Sequence, residues 1–263
     1  MIQAMIFAAG LGTRLKPLTD TMPKALVEVG GEPLLQRVLM QLKAIGVGRV
    51  VVNVHHFADM IIDFLKANDN FGMDIQVSDE RQKLLDTGGG LRHARPLFLP
   101  DTPILIHNVD ILSNVDLLKF YYQAPLMTCP SCGVPHLRAD ATLLVSERHT
   151  KRYLLFDNQM MLMGWTNIET GEVKSPYAWV RQADAATLRL RLRRFAFSGI
   201  HIFNPTLFSD MAEWPDKFSI IDFYLKECAR HSIRGYLQKD LKLLDVGKQD
   251  TLKEAETFLN DIK

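Results

Sequence analysis

Five stretches of this chain hold residues whose types and spacing could do chemistry. The first is Gly10-Leu11-Gly12-Thr13-Arg14, which follows an apolar run from Ile2 to Ala9 and leads through a polar, proline-punctuated stretch to Pro23-Lys24. Glycines let backbone N–H groups approach phosphate oxygens closely, because no side chain stands in the way. Arg14 adds a fork of donors and Lys24 a point charge, so the segment has the chemistry of a nucleotide-binding loop. The second is Asp110 in Asn108-Val109-Asp110, just after the apolar run Ile104-Leu105-Ile106. A carboxylate at a strand mouth can hold Mg²⁺, whose other positions go to water and phosphate oxygens. The same Asp could equally be a turn or helix-capping residue.

The third is Asp245 in Leu243-Leu244-Asp245-Val246-Gly247, where a metal-binding role competes with ordinary turn chemistry. The fourth is Asp86-Thr87-Gly88-Gly89-Gly90, which reads as a glycine loop entering a helix, with Asp86 or Thr87 as its cap, or as a plain hinge. In the fifth, Phe195–Phe203, Ser198-Gly199 interrupts an apolar strand, which marks a bulge or close approach by a ligand or another backbone.

Two commoner glycine motifs are excluded. A dinucleotide fingerprint needs a third glycine where Leu15 stands, and Pro17 and Pro23 argue for a long loop over a helix. The P-loop pattern occurs nowhere. Weaker signals are read structurally. Cys129, Cys132 and His136 give at best half a zinc site, in a Pro/Gly-rich surface loop. His55 and His56 are read as loop packing. Arg189, Arg191, Arg193 and Arg194 alternate with leucines and are taken as the solvated side of a strand.

The elements that must position these residues alternate through the first half. Strands are expected at 2–8, 49–54, 74–78 and 103–107, and helices at 34–45, 58–67 and 116–123. This rhythm implies a parallel sheet with helices on both faces and a ligand site beyond the strands' carboxyl ends, where the glycine loop falls. The second half reads as longer strands at 139–145, 152–156, 160–164 and 188–203, plausibly antiparallel and forming the acceptor side of a cleft. Helices at 206–211 and 219–230, a strand ending at 243–246 and a helix at 249–261 complete the pattern.

With 263 residues, 47% hydrophobic and 23% charged, the composition is that of an ordinary globular protein. A net charge of +1 gives no reason to expect nucleic acid or an anionic membrane as partner. No apolar stretch reaches the roughly twenty residues that span a bilayer, and the amino end lacks the pattern of a secretory leader. Three cysteines do not make a disulfide framework, so a cytoplasmic location is expected.

The string Gly10-x-Gly12-Thr13-Arg14 with Pro23-Lys24, Asn108-Val109-Asp110 and the late Asp245-Val246-Gly247 resembles the signature of sugar-1-phosphate nucleotidylyltransferases. The resemblance implies a Rossmann-like three-layer α/β/α fold with a mixed, mainly parallel central sheet. It also implies one domain over 1–263, with a nucleotide-binding half (1–125) and a sugar-phosphate-binding half with the terminal helix (126–263). By the same resemblance, Ala8, Ala9, Gly10, Gly12, Thr13, Asp86, Gly88, Gly89 and Asn108 would contact the nucleotide, and Ser198 and Gly199 the sugar. Arg14, Lys24 and Asp110 would be catalytic, with Mg²⁺ on Asp110 and Asp245.

The substrates would be an NTP and a sugar 1-phosphate, handled by a monomer or homodimer. The Thr87-Gly88-Gly89-Gly90 form looks most like N-acetylmuramate-1-phosphate uridylyltransferases. GTP with mannose 1-phosphate, choline-phosphate cytidylyl transfer and a nucleotide-binding regulatory subunit are the alternatives. The family's Glu-Lys-Pro step, which binds sugar and phosphate, is absent here, so the acceptor side is the less defined.

Overall fold

The computed structural model describes residues 1–128 and 135–262. In chain order the first half contains β1 (Ile2–Phe7), β2 (Glu28–Val29), β3 (Glu32–Pro33), α1 (Leu34–Ala44), β4 (Val47–Val54), α2 (Ala58–Ala67), β5 (Asp74–Asp79), α3 (Asp86–His93), β6 (Ile104–Asn108), β7 (Ile111–Ser113) and α4 (Leu117–Gln123). The second half contains β8 (Leu126–Thr128), β9 (Pro135–Arg138), β10 (Ala141–Ser146), β11 (Arg152–Phe156), β12 (Leu162–Asn167), β13 (Val173–Lys174), α5 (Ala178–Gln182), α6 (Ala185–Arg191) and β14 (Arg193–Phe203). The chain ends with α7 (Ile220–Glu227), β15 (Ile233–Leu237), β16 (Leu243–Asp245) and α8 (Gln249–Asp261).

One mixed sheet organises the molecule, in the order β13-β12-β11-β14-β6-β1-β4-β5, with β10 paired to β14 and β15 to β10. Strands β6, β1, β4 and β5 are parallel. The apolar runs of β6, β1 and β4 are largely buried on both faces, as inner parallel strands require, whereas the edge strand β5 is only part-buried. Ala4, Ile6, Val50 and Val52 pack with α1, α2, α4 and α8 through Leu35, Leu39, Ile61, Phe120 and Ala255. Met5, Val51 and Ile106 face the other way, onto Leu91 of α3 and Phe223 and Tyr224 of α7. Helix–sheet–helix layering follows, and with it the Rossmann-like arrangement expected from the sequence.

The antiparallel half hangs on β14. Its last residues pair with β6 (Ile200 opposite His107, Phe203 opposite Ile104), and its first residues pair with β11. Residues 188–192 correct the sequence reading. They form the end of α6, not the start of a strand. Asp184 caps that helix by accepting from the Thr187 N–H at 2.7 Å. Leu188 and Leu192, four apart, are 5% and 6% exposed, whereas Leu190 is 87% exposed. Alternation of Arg and Leu therefore disguised a helical i, i+4 stripe. Arg189, Arg191, Arg193 and Arg194 are exposed, as expected. At 206–211 the structure has a 3-10 turn, Pro205–Ser209, capped by Asn204. Strand β15 had no counterpart in the sequence reading. Among the described residues no helix is long and apolar enough to cross a membrane.

Two histidines are fully enclosed by this sheet. His201 lies among the rings of Phe197 (5.5 Å), Tyr224 (5.6 Å) and Phe7 (6.5 Å). Burial pushes its imidazole down to about 3, and that of His107 down to about 4. Both pKa values are depressed on folding, so their neutral forms are fully accommodated above the unfolded value of about 6.5, and stability is lost as pH falls below it. Urea denaturation at pH 7 and pH 5 should show wild type losing about 2 kcal/mol more between the two pH values than His201→Phe does. Equal losses would mean that His201 is not held neutral.

Candidate active site

The glycine loop leaves the carboxyl end of β1 and is fixed by its own backbone. Gly12 has a positive φ of 64°, and its carbonyl accepts from Thr19 Oγ1 (2.8 Å) and from the Leu15 N–H (2.8 Å). A Cβ on Gly12 would lie 2.8 Å from Thr19 Cγ2, so no larger residue fits. Leu15 is fully buried and pins the loop to the core, while a Cβ on Gly10 would meet nothing within 4 Å. The bare backbone of Gly10 thus borders open space, as a phosphate cradle requires.

That space is a cavity of about 450 Å³. Ala8, Ala9, Gly10, Gly12, Thr13 and Arg14 wall one side, with Asp86, Asn108, Asp110 and Lys24 around the rest. Asp110 follows β6, held where the Val109 N–H donates to the Phe7 carbonyl at 3.3 Å. Asp245 arrives from the far end of the chain through the antiparallel pair β7–β16, in which it stands opposite Ile111. The Val246 N–H then donates to the Asp110 carbonyl at 2.9 Å, so the two acids become neighbours. Lys24 Nζ is ion-paired with Asp110 Oδ2, both side chains being largely buried.

Gly247 marks the point of convergence. A Cβ there would lie 2.7 Å from Asp245 Oδ1, 2.8 Å from Arg14 Nη2 and 3.0 Å from Lys24 Nζ. Four charged residues from four segments therefore surround one small space. Two carboxylates in that space offer the hard oxygen donors that a divalent cation takes, so the donor set fits the metal expected from the sequence. A different group, Asp210, Glu227 and His231, also has metal-ligand spacing. It lies by Asp140, just before β10, and already holds the Arg230 guanidinium, 3.3 Å from Asp210.

Decisive support for the chemistry comes from relatives. Residues 3–125 match the family model described as nucleotidyl transferase. Over 259 residues the chain is 33% identical to the N-acetylmuramate alpha-1-phosphate uridylyltransferase of Caulobacter vibrioides, covering 97% of this chain and 96% of that one. The chain belongs to the nucleotidyl transferase family. The protein of the same description from Neisseria meningitidis is 31% identical over 258 residues, 98% of each chain. A putative glucose-1-phosphate thymidylyltransferase from Bacillus anthracis, solved in complex with a sucrose, has the same fold, with a TM-score of 0.74 at 16% identity over 100% of this chain and 97% of that one. This nucleotidyl transferase is accordingly a sugar-1-phosphate nucleotidyltransferase, an enzyme of the 2.7.7 class.

Some expected contacts are placed differently by the nucleotidyl transferase structure. Gly88 and Gly89 lie inside α3, buried, and both donate their N–H groups to the Phe218 carbonyl (2.9 and 3.3 Å). Their backbone is thus committed to the protein and is not on the cavity wall. A Cβ on Gly89 would lie 2.1 Å from the Asp216 carbonyl oxygen, so close packing explains the glycine. Neither Asp86 nor Thr87 caps the helix. Asp86 has a positive φ of 61° and bonds the next N–H, and Thr87 Oγ1 accepts from the Ile220 N–H at 2.9 Å. Both do reach the cavity.

Ser198 and Gly199 are likewise buried and off that wall. A Cβ on Gly199, whose φ is 74°, would lie 2.8 Å from Asn108 Nδ2. The close approach read from the sequence is therefore by Asn108. Cys129 and Cys132 lie outside the described residues, and His136 is described only as part of β9. His55 packs its Nδ1 against the Glu80 carbonyl at 2.7 Å, in keeping with a loop-packing role.

The polar cavity residues Asn53, Glu80 and Lys217 were not singled out from the sequence. Asn53 Oδ1 accepts from the N–H groups of Ala8 (2.8 Å) and Ala9 (3.3 Å), and its Nδ2 donates to Glu80 Oε1 at 2.7 Å. This relay sets the direction in which β1 opens into the glycine loop. Burial pushes the Glu80 carboxyl up, against hydrogen bonds from Asn53 and the Leu85 N–H that lower it. A polar Asn inside the apolar run Val50–Val54 is the signal that could have been read; Lys217 carries no such signal.

Gly247→Ala tests the convergence directly. The added methyl displaces Arg14, Lys24 or Asp245, and kcat/KM should fall about tenfold to a hundredfold while the unfolding midpoint barely moves, because sub-ångström misplacement of phosphate-binding groups is costly. Unchanged kinetics would separate these residues from the reaction.

Proposed function

We propose that this enzyme joins UTP to N-acetylmuramate 1-phosphate, giving the UDP-sugar and pyrophosphate. The observation that carries the reading is the meeting of Arg14, Lys24, Asp110 and Asp245 around Gly247, at the mouth of a cavity framed by a glycine loop. Similarity along nearly the whole chain to two proteins named as N-acetylmuramate alpha-1-phosphate uridylyltransferases supports that pair of substrates. The nucleotide is assigned to residues 1–125 and the acceptor chiefly to 126–263, within one domain.

In the reaction a phosphate oxygen of the sugar 1-phosphate attacks the α-phosphorus of UTP. One P–O bond forms, the bond to the bridging oxygen of the β-phosphate breaks, and pyrophosphate leaves with that electron pair. No protein nucleophile is needed; alignment and charge neutralisation are the catalytic demands. Arg14 with the N–H groups of Gly12 and Thr13 holds the departing pyrophosphate. Lys24 sits between the α-phosphate and the incoming sugar phosphate and lowers the repulsion between them. Asp110 and Asp245 would hold Mg²⁺, which supplies further neutralisation of the reacting phosphates when bound. Asn108, Asp86 and Thr87 line the remainder of the nucleotide's path.

Pyrophosphate release should be measured with Mg²⁺ for four NTPs crossed with a panel of sugar 1-phosphates. Release is expected with UTP and N-acetylmuramate 1-phosphate; release only with GTP and mannose 1-phosphate would replace the substrate assignment. Asp110→Asn should lower kcat by about 10²–10⁴, equivalent to roughly 3–5.5 kcal/mol of barrier. Near-normal turnover would remove Asp110 from the mechanism.

A further inference from the structure

A second cavity, of about 360 Å³, lies beside the nucleotide cavity. One face of β11–β12–β13 forms its floor. Arg152 and Leu154 alternate along β11, Leu154 stands opposite Trp165, and Trp165 stands opposite Lys174. The two-residue period of strands places these four side chains on one side. The start of α7 covers them with Ile221, Asp222 and Leu225. Arg148, beyond the end of β10, closes one flank.

The two cavities share a wall. Lys217 borders the nucleotide cavity and Ser219, two residues on, borders the second. The intervening Phe218 is held by its carbonyl, which accepts from the Gly88 and Gly89 N–H groups, and just beyond it the Ile220 N–H donates to Thr87 Oγ1. The rings of Phe7, on the first wall, and Phe197, on the second, both flank His201. A substrate with its phosphate at Lys24 and Asp110 would thus extend its other end toward this second cavity.

Charge is what distinguishes the cavity. Arg148, Arg152 and Lys174 face a single acid, Asp222. Lys174 is committed, 3.4 Å from Asp222 and 5.3 Å from the Trp165 ring centre. Arg148 Nη2 donates to the Phe197 carbonyl at 3.1 Å, which holds the guanidinium at the cavity lining. Among the described residues neither Arg148 nor Arg152 has a carboxylate within 4 Å. Two guanidiniums beside an apolar floor suit a ligand that is part sugar ring and part anion, since Arg forks match carboxylates.

We propose that this cavity receives the sugar ring of the acceptor, and that Arg148 and Arg152 bind a carboxylate carried on that ring. The inference rests on the substrate reading above and deepens it. N-acetylmuramate differs from N-acetylglucosamine only by an acidic ether substituent, so the two arginines select the acidic sugar. Leu154 and Trp165 provide the surface against which the ring lies.

The test compares kcat/KM for N-acetylmuramate 1-phosphate and N-acetylglucosamine 1-phosphate, with UTP saturating, in wild type, Arg152→Ala, Arg148→Ala and Arg152→Lys. The preference for the acidic sugar should fall about tenfold in each alanine variant, the loss of one charge-assisted hydrogen bond, and be partly kept in Arg152→Lys. Unfolding midpoints serve as the control for folding. An unchanged preference in both alanine variants, while wild type turns over the acidic sugar, would overturn the carboxylate role and leave the substrate reading standing. Wild-type turnover of neutral sugar phosphates alone would overturn the substrate reading, and the carboxylate role with it.

Discussion

The charge cluster around Gly247 depends on a short antiparallel pairing. Strand β16 lies against β7 for three residues, with Leu243 opposite Ser113 and Asp245 opposite Ile111. Without that ladder Asp110 would stand alone at the end of β6. Bringing a second carboxylate beside it costs electrostatic repulsion. The structure offsets the cost with Lys24, ion-paired to Asp110, and with Arg14, which meets Asp245 across Gly247. Acids and bases are therefore mutually stabilising before any substrate arrives, and charges held in place need little reorganisation during reaction.

The rest of the fold serves this arrangement at one remove. Parallel strands buried on both faces make a rigid platform, and their carboxyl ends deliver the glycine loop and Asp110 to one edge. Asn53, on the neighbouring β4, ties Ala8 and Ala9 into position from the side. Strand β14 spans the boundary between the parallel and antiparallel regions, pairing with β6 at one end and β11 at the other. A single continuous strand thus fixes the second cavity relative to the first.

Much of this was legible in the residues. The glycine loop, Arg14, Lys24, Asp110 and Asp245, all named from the sequence, come together beside one cavity, because glycine and charge at a strand end constrain the backbone strongly. What was misread were cases in which local pattern and tertiary packing diverge. Gly88 and Gly89 looked like exposed backbone, yet they are small because Phe218 and the Asp216 carbonyl press on the helix. Gly199 is small because Asn108 leans on it, which is a contact between residues far apart in sequence. The alternating leucines at 188–192 fit a strand as well as a helix, and only the Asp184 cap distinguishes them. Asn53 and Glu80 work as a buried pair, and neither signals its role without the other.

The position of Asp245 also has a consequence for how the protein comes to life. The parallel core draws on residues from the first half of the chain, and its pairings of β1 with β4 and of β4 with β5 connect segments near in sequence. Contacts of that kind can form early during synthesis. The reacting centre cannot. Its second carboxylate belongs to β16, made long after β1 to β6, so a growing chain holds a folded scaffold with an incomplete charge cluster. The charge cluster around Gly247 is thereby completed only once β16 has paired with β7.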